Sequence, residues 1–562
     1  MTHRRVVLAL AFASMIAARA IGRFALDDLA HVMDEITYLF QAKLFASGHV
    51  SAPVSLPRAA FNMWFIDDRT SRFGIFPPGW PAVLAIGVKL GLERWVNPLL
   101  HAATVVIVGR AGERLGGSRL ALIAAGLYAV SPQSVLMAGS LMSHTLVALA
   151  GAIVLFAAIA CMQEKCVSPR LAALAGASVG ITAATRPLCA VVLAGAFGAA
   201  MLLWGRADRR KLAIASLAAS AGALPFVLGL FAFNHATTGS ALRFPQMSYF
   251  DEHLAPSDVP FFNYRKGCNA LGFGPSHGCD LTARGGTHGL SNARENLLVN
   301  LRAWLLLLCG PLLVVAPVLA VFRKATRTIA LFLLGLTLAS FAVYALYWHG
   351  GTCFGARFHH ATLPAVIVLV ALGASVGDRR TLAGFAAITL AWCGVAYTRS
   401  VRELTDARWG YWGIDDRFAK LRSGWAHGKA VVMVAFGGDD VHNPKLEWTT
   451  EIPTGAMWML NIRALGALAQ NEPAIDAGEI VFAKFHPGLV AEIEARFPDR
   501  KLWLFVSNDD RARDVLEPWE AVRRDPKLDP AGRRPPRENF DGFRVEPPKL
   551  EQPWMFTPPP DP

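Results

Sequence analysis

Long apolar runs, separated by short links that carry Arg and Lys, recur along the first 400 positions of the chain. About 20 predominantly apolar residues cross the hydrocarbon core of a bilayer as a helix. On that criterion candidate spans fall near 5–24, 95–109, 120–138, 143–162, 171–185, 187–204, 212–233, 301–321, 328–347, 361–377 and 381–397, about eleven in all. The stretch "WPAVLAIGVKLGLE" (80–93) is short and reads as a re-entrant or interfacial helix. A full crossing there would invert every assignment downstream.

Charge on the links tests this placement. With the N-terminus inside, the cytoplasmic links are "GRAGERLGGSR" (109–119), "QEKCVSPR" (163–170), "GRADRRK" (205–211), "FRKATR" (322–327) and "DRR" (378–380). All are short and basic, as the positive-inside tendency requires, whereas the inverted topology puts most of them outside. The opening "MTHRRVVLALAFASMIAARA" has the layout of a cleaved signal peptide or of an anchor. Apolar character continues from Ile21 to Leu26, interrupted by Arg23, and favours an uncleaved anchor. Three larger pieces then face outward: 25–94, 234–300 and everything after about 398.

The last piece changes pattern. "KAVVMVAF" (429–436), "EIVFAKF" (479–485) and "KLWLFVSN" (501–508) read as buried strands, and "PGLVAEIEARF" (487–497) has helical spacing. Together they predict a small extracytoplasmic α/β domain over 398–524. Residues 525–562 are rich in Pro and charge and read as an extended or disordered tail. No internal repeat is evident.

Composition agrees with a membrane chain. Of 562 residues, 53% are hydrophobic and 17% charged, with a mean hydropathy of +0.36; soluble domains carry about 25% charged residues. The net charge of +13 resides in the links and belongs to topology. No basic patch coincides with a nucleic-acid motif, so nucleic acid is excluded as a partner. Cys268 and Cys279 share an outer loop and are expected to pair, with Cys353 as a competitor. The other five cysteines fall in or beside spans, as small apolar residues do.

With the membrane placed, the unusual polar residues share one side. Asp34 and Glu35 lie in the first outer loop and His144 at the outer start of a span. Arg186 lies between two spans, and His349, Arg357, His359 and His360 lie in "YWHGGTCFGARFHHATLP". Ionisable groups at membrane depth cost roughly 2.5–3.5 kcal/mol each on insertion scales and mark pathways or sites. Their gathering predicts one outer cavity. Read as a helix, "HVMDEITYLFQAK" puts Asp34, Thr37, Tyr38 and Gln41 on one face and Val32, Met33, Ile36 and Phe40 largely on the other. That pattern predicts an amphipathic interfacial helix. Its acid is either functional, part of a solvated face, or an offset for Arg23. "GFGPSHG" (272–278) lacks the preceding strand of a phosphate loop and is set aside.

The ordered set of an outer acid pair, "PPGWP", "TRP", "FNHATTGSALRF" and "GARFHHATLP" resembles the bacterial GT-C glycosyltransferases related to protein mannosyltransferases and lipid A aminoarabinose transferases. The likeness spans roughly residues 1–400, and "IVFAKFHPGLVAEIEARFPDRKLWLF" resembles the outer tail of some members. The resemblance implies an all-α polytopic GT-C-like membrane unit over 1–397, in a bacterial inner membrane. It also implies sugar transfer from a polyprenyl-phosphate donor to an envelope glycan, lipid or protein on the extracytoplasmic face, among membrane lipids. Asp34 matches the family's catalytic acid, with Glu35 as a second catalytic candidate. Arg357, Arg186, His144, His349 and Tyr38 are the candidates for the donor phosphate and substrate. No cofactor is implied and no metal ligand set is recognised, although a divalent cation bridging Asp34 and the phosphate is chemically compatible. Two departures stand out: Phe76 occupies the place of a lysine before the paired prolines, and only Ser143 and His144 stand where relatives offer a second acid. The rival readings are a transporter or lipid flippase, which favours paired repeats and mid-span polar groups, and a non-enzymatic envelope assembly factor.

Overall fold

The computed structural model describes residues 2–205, 208–253, 289–347, 354–405, 414–436, 464–485, 487–507 and 511–523. The chain opens with α1 (Thr2–Phe24), then α2 (Met33–Ala46), α3 (Arg58–Phe61), α4 (Gly79–Leu90) and α5 (Glu93–Val130). α6 (Pro132–Gly139), α7 (His144–Glu164), α8 (Pro169–Ala183), α9 (Pro187–Trp204), α10 (Arg209–Thr238) and α11 (Pro245–His253) follow. After 289 come α12 (Leu290–Leu307), α13 (Leu312–Phe322), α14 (Arg327–Ala345), α15 (Leu363–Ala374) with a 3-10 turn (Arg357–Thr362) before it, and α16 (Arg379–Leu404).

Among the described residues, seven helices are long and apolar enough to cross a bilayer, or up to nine if each of two bent pairs forms one span. That is fewer than the eleven expected, for local reasons. The 171–185 segment forms α8, which has 15 residues and falls short of a span alone. The 301–321 segment breaks into α12 and α13, bent by 95°, where Pro311 has no N–H to continue the helix. The 95–109 and 120–138 segments keep their two expected arms, joined within α5 and continued by α6. α5 turns back on itself at Gly116–Gly117, where Gly117 has φ 70°, a conformation that glycine adopts without strain. Consequently a Cβ on Gly109 would sit 3.3 Å from that of Ala125. The 80–93 stretch forms the 12-residue α4, about 18 Å long at 1.5 Å per residue.

α15 explains where the bundle's centre lies. All twelve of its residues are buried, as expected of a helix apolar on every side. α1 is part of the bundle, burying Val7, Ala11, Ser14, Ala18 and Gly22. At its start, Arg4 and His3 both engage Glu113 at 3.0 Å.

The C-terminal residues build a four-stranded sheet in the order β4-β3-β5-β6. β3 (Ala430–Phe436) runs parallel to β4 (Ile480–Lys484) and β5 (Lys501–Ser507), and β6 (Val515–Pro518) is antiparallel to β5. β3, β4 and β5 coincide with the three apolar runs read from the sequence, which did not mark β6, and a helix (Val490–Arg496) crosses between β4 and β5. This unit sits on the first large loop. Phe61 meets Phe497 edge-on at 6.0 Å, Arg72 donates to the Pro473 carbonyl at 3.4 Å, and Lys43 lies 3.5 Å from Glu472. Lys484 donates to the Asn62 amide oxygen. The expected Cys268–Cys279 pair, its competitor Cys353, and the Pro-rich tail lie outside the described residues.

Candidate active site

α2 places the acid pair in its first turn, where the unpaired N–H groups of the helix favour negative charge. The two acids are used differently. Glu35, 1% exposed, accepts from the backbone N–H groups of His31 (3.0 Å) and Val32 (3.1 Å) with Oε2. Its Oε1 accepts from Leu141 N–H at 2.7 Å. The second catalytic candidate therefore spends both carboxylate oxygens on backbone donors, as a capping and positioning group does. Asp34 is left to the site. Its Oδ2 accepts from Arg357 Nη1 at 2.9 Å, with both side chains largely buried. Arg23 lies 3.7 Å from Asp28, so Asp28 supplies the counter-charge that the sequence alone could assign to Asp34.

The rest of α2 departs from a solvated amphipathic helix. Thr37 and Gln41 are each 1% exposed. A short hairpin of β1 (Ile66–Asp67) and β2 (Phe73–Gly74) covers that face, and Gln41 is satisfied by Gly74 N–H (2.8 Å) and the Val50 carbonyl (2.9 Å). Polar residues at helical spacing mark a face; only tertiary contacts decide whether water or backbone meets it.

Arg186 approaches from the other side. It precedes α9, its Nη1 donates to Ser143 Oγ at 3.3 Å, and Ser143 in turn donates to Tyr38 Oη at 3.4 Å. Burial, and next the charge of Asp34, hold the Tyr38 phenol above its ordinary value, so it stays neutral. The turn before Arg186 is seated by "PPGW": Gly79 N–H donates to the Ala184 carbonyl at 2.7 Å, and a Cβ on Gly79 would come within 2.8 Å of that carbonyl. Two motifs distant in sequence are thereby fixed against each other.

Phe358 is the residue the sequence did not single out. Arg186 lies 4.9 Å and Arg357 5.2 Å from its ring centroid, and Tyr344 stacks on it at 4.9 Å. His144 stacks on it at 6.4 Å and meets His360 edge-on at 6.1 Å. The only signal in the sequence is its position beside Arg357. Gln133 fixes the loop before Arg357, donating to the Phe354 carbonyl (2.8 Å) and accepting from Ala356 N–H (3.2 Å). His359 is directed elsewhere, bonded to Ser340 at 2.9 Å and stacked on Phe341. Phe76 packs against Tyr38 at 5.2 Å, an aromatic contact where a cation is otherwise expected. His349 lies outside the described residues. Among the described residues no group of three or more His, Cys, Asp or Glu could hold a metal ion.

The structure thus brings Asp34, Tyr38, His144, Arg186 and Arg357 together. An acid beside two guanidiniums can take a proton from a hydroxyl and hold an anion next to it.

Among solved structures, the chain is similar to ArnT from Cupriavidus metallidurans bound to undecaprenyl phosphate, at 15% identity over 89% of this chain and 80% of that one, TM-score 0.45. It is also similar to the apo oligosaccharyltransferase of Archaeoglobus fulgidus, at 12% identity over 78% of this chain, TM-score 0.43. The chain spans 62% of that protein's length. A structure of AglB from the same organism, with an inhibitory peptide and a dolichol-phosphate, matches at 13% identity over 88% of this chain and 69% of that one, TM-score 0.41. At these identities the likeness concerns the chain path, and no residue role is carried across. No protein-family model matches the chain, and no curated protein does.

Proposed function

We propose that the chain is an integral membrane glycosyltransferase that moves a sugar from a polyprenyl-phosphate donor to a cell-envelope acceptor on the extracytoplasmic face. The observation that carries this reading is the buried Asp34–Arg357 pair with Arg186 against the same Phe358 ring as Arg357, assembled from three remote parts of the chain.

In the reaction, the acceptor hydroxyl oxygen bonds to the anomeric carbon as the bond from that carbon to the phosphate oxygen breaks. Asp34 takes the hydroxyl proton, and the bonding pair leaves with the polyprenyl phosphate. General-base assistance is typically worth about 10²–10⁴-fold. The leaving phosphate needs cations more than an acid, and a guanidinium stays charged and matches phosphate oxygens with its planar fork. Arg357 has a free role to play here, because its buried Nε has no hydrogen-bond partner among the described residues. A donor phosphate that draws Arg357 toward itself releases Asp34 to act as base. Single displacement inverts the anomeric centre, so a β-linked donor yields an α-linked product. The chemistry asks for no cofactor.

The test compares cells lacking the protein with cells carrying wild type or Asp34→Asn, by mass spectrometry of envelope glycans and by membrane abundance. Loss of one sugar in both the deletion and a normally abundant variant supports the reading. A deletion that alters no glycan sinks it and returns the question to transport or assembly.

A further inference from the structure

One turn, residues 140–143, is gripped by side chains from three separate elements. Glu35 of α2 accepts from Leu141 N–H at 2.7 Å. Trp80 of α4, fully buried, donates its Nε1–H to the Leu141 carbonyl at 2.8 Å. Asn97 of α5, 1% exposed, donates through the same Nδ2 to the carbonyls of Ser140 (2.7 Å) and Met142 (2.9 Å). The backbone groups around one residue are therefore taken up by three rigid neighbours. The next residue, Ser143, is the one that contacts both Tyr38 and Arg186.

We infer that Asn97 is a positioning residue which, together with Glu35, fixes the 140–143 turn as the alignment point between the base-bearing helix α2 and the arginine-bearing side of the site. α2 reaches the turn through Glu35, one residue from Asp34. Arg186 reaches it through Ser143. Asn97 touches neither reacting group, yet it is the side chain that holds the turn on both sides of Leu141. No apolar isostere supplies its two N–H donors, and an aspartate turns a carboxylate toward two carbonyls. Both carbonyls are then left short of a buried partner. Misplacement of catalytic groups by about 1 Å can cost about 10²-fold in rate. The catalytic consequence rests on the proposed transfer reaction; the alignment itself does not.

The experiment uses the full chain in lipid nanodiscs, as wild type, Asn97→Leu, Asn97→Asp, Glu35→Gln and Asp34→Asn, read by amide hydrogen exchange. The Asn97 variants are expected to raise exchange about tenfold or more in the 138–144 peptide and also at His31 and Val32, whose N–H groups share Glu35. Asp34→Asn is expected to leave both regions protected. In membranes supplied with the polyprenyl-phosphate sugar whose transfer the deletion strain loses, Asn97→Leu lowers turnover about 10²-fold while the donor KM stays near wild type. Exchange that rises at 138–144 but not at 31–32 overturns the coupling. Exchange that rises throughout the bundle, with falling abundance, reduces Asn97 to general stability and also overturns it. If the deletion strain loses no glycan, the proposed transfer fails, and the exchange measurement still decides the alignment.

Discussion

At the scale of the residue, Asp34 and Glu35 are adjacent carboxylates with separate duties, and the division follows from what each oxygen touches. Glu35 is consumed by backbone donors, so Glu35→Gln is expected to act through misalignment. Asp34→Asn removes the proposed base with little change in volume. It is expected to lower transfer by about 10²–10⁴-fold with normal membrane abundance, measured as loss of the envelope sugar. Arg357 tests the phosphate side. Arg357→Lys keeps the charge but loses the planar fork proposed to meet the phosphate oxygens and so release Asp34. We expect transfer to fall about tenfold or more, read from polyprenyl phosphate released per unit time in isolated membranes. A variant with wild-type release would remove Arg357 from the site.

At the scale of the element, the site depends on how closely the 77–80 turn approaches the end of α8. The approach exists because residue 79 has no Cβ; one added there would lie 2.5 Å from Thr185 Oγ1 and 2.8 Å from the Ala184 carbonyl. Gly79→Ala is therefore expected to push the 184–185 turn away and carry Arg186 with it. Activity should fall about tenfold or more while the lipid-facing helices remain intact, as followed by transfer activity beside thermal unfolding in detergent. Equal activity would show that Arg186 does not need this contact. The same scale explains α2, which the sequence marks as two-faced. Its polar face is paired with the 50–76 loop instead of water, because Gly74 and Val50 bring backbone groups to Gln41.

At the scale of the whole molecule, the C-terminal sheet meets the first large loop through buried cations. Lys484 is 7% exposed; burial holds its ammonium down at about 8 from an ordinary 10.5, against the opposing pull of Asp68. Between those values the unfolded chain binds more protons than the folded one, so stability rises with pH from about 8 toward 10.5 and is lowest below 8. At about 1.4 kcal/mol per pKa unit, the charge costs up to about 3 kcal/mol in neutral buffer. Lys484→Met is expected to raise Tm near neutral pH and to flatten the rise above pH of about 8, as measured by thermal unfolding across that range. A variant with the wild-type pH profile would place the titrating group elsewhere.

Periodicity and composition were enough to establish a helical membrane chain, because the bilayer demands long apolar runs and their lengths are written in the sequence. The strands of the C-terminal sheet were legible for a similar reason: buried parallel strands are continuous apolar runs. The gathering of Asp34, Arg186 and Arg357 at one end was also legible, since topology alone puts the ends of spans on one side. The turn at Gly116–Gly117 was legible too, since it falls inside the link read at 109–119; what the chain could not disclose was the bend before α13, which depends on backbone dihedrals set by packing. Nor could it separate Asp34 from Glu35, reveal the contact of Phe358 with two arginines, or assign Asn97 to a turn more than forty residues away. Those are matters of which donor lies within 3 Å of which acceptor. Only the tertiary structure decides them, because each partner arrives on an element whose position is fixed by packing elsewhere in the bundle.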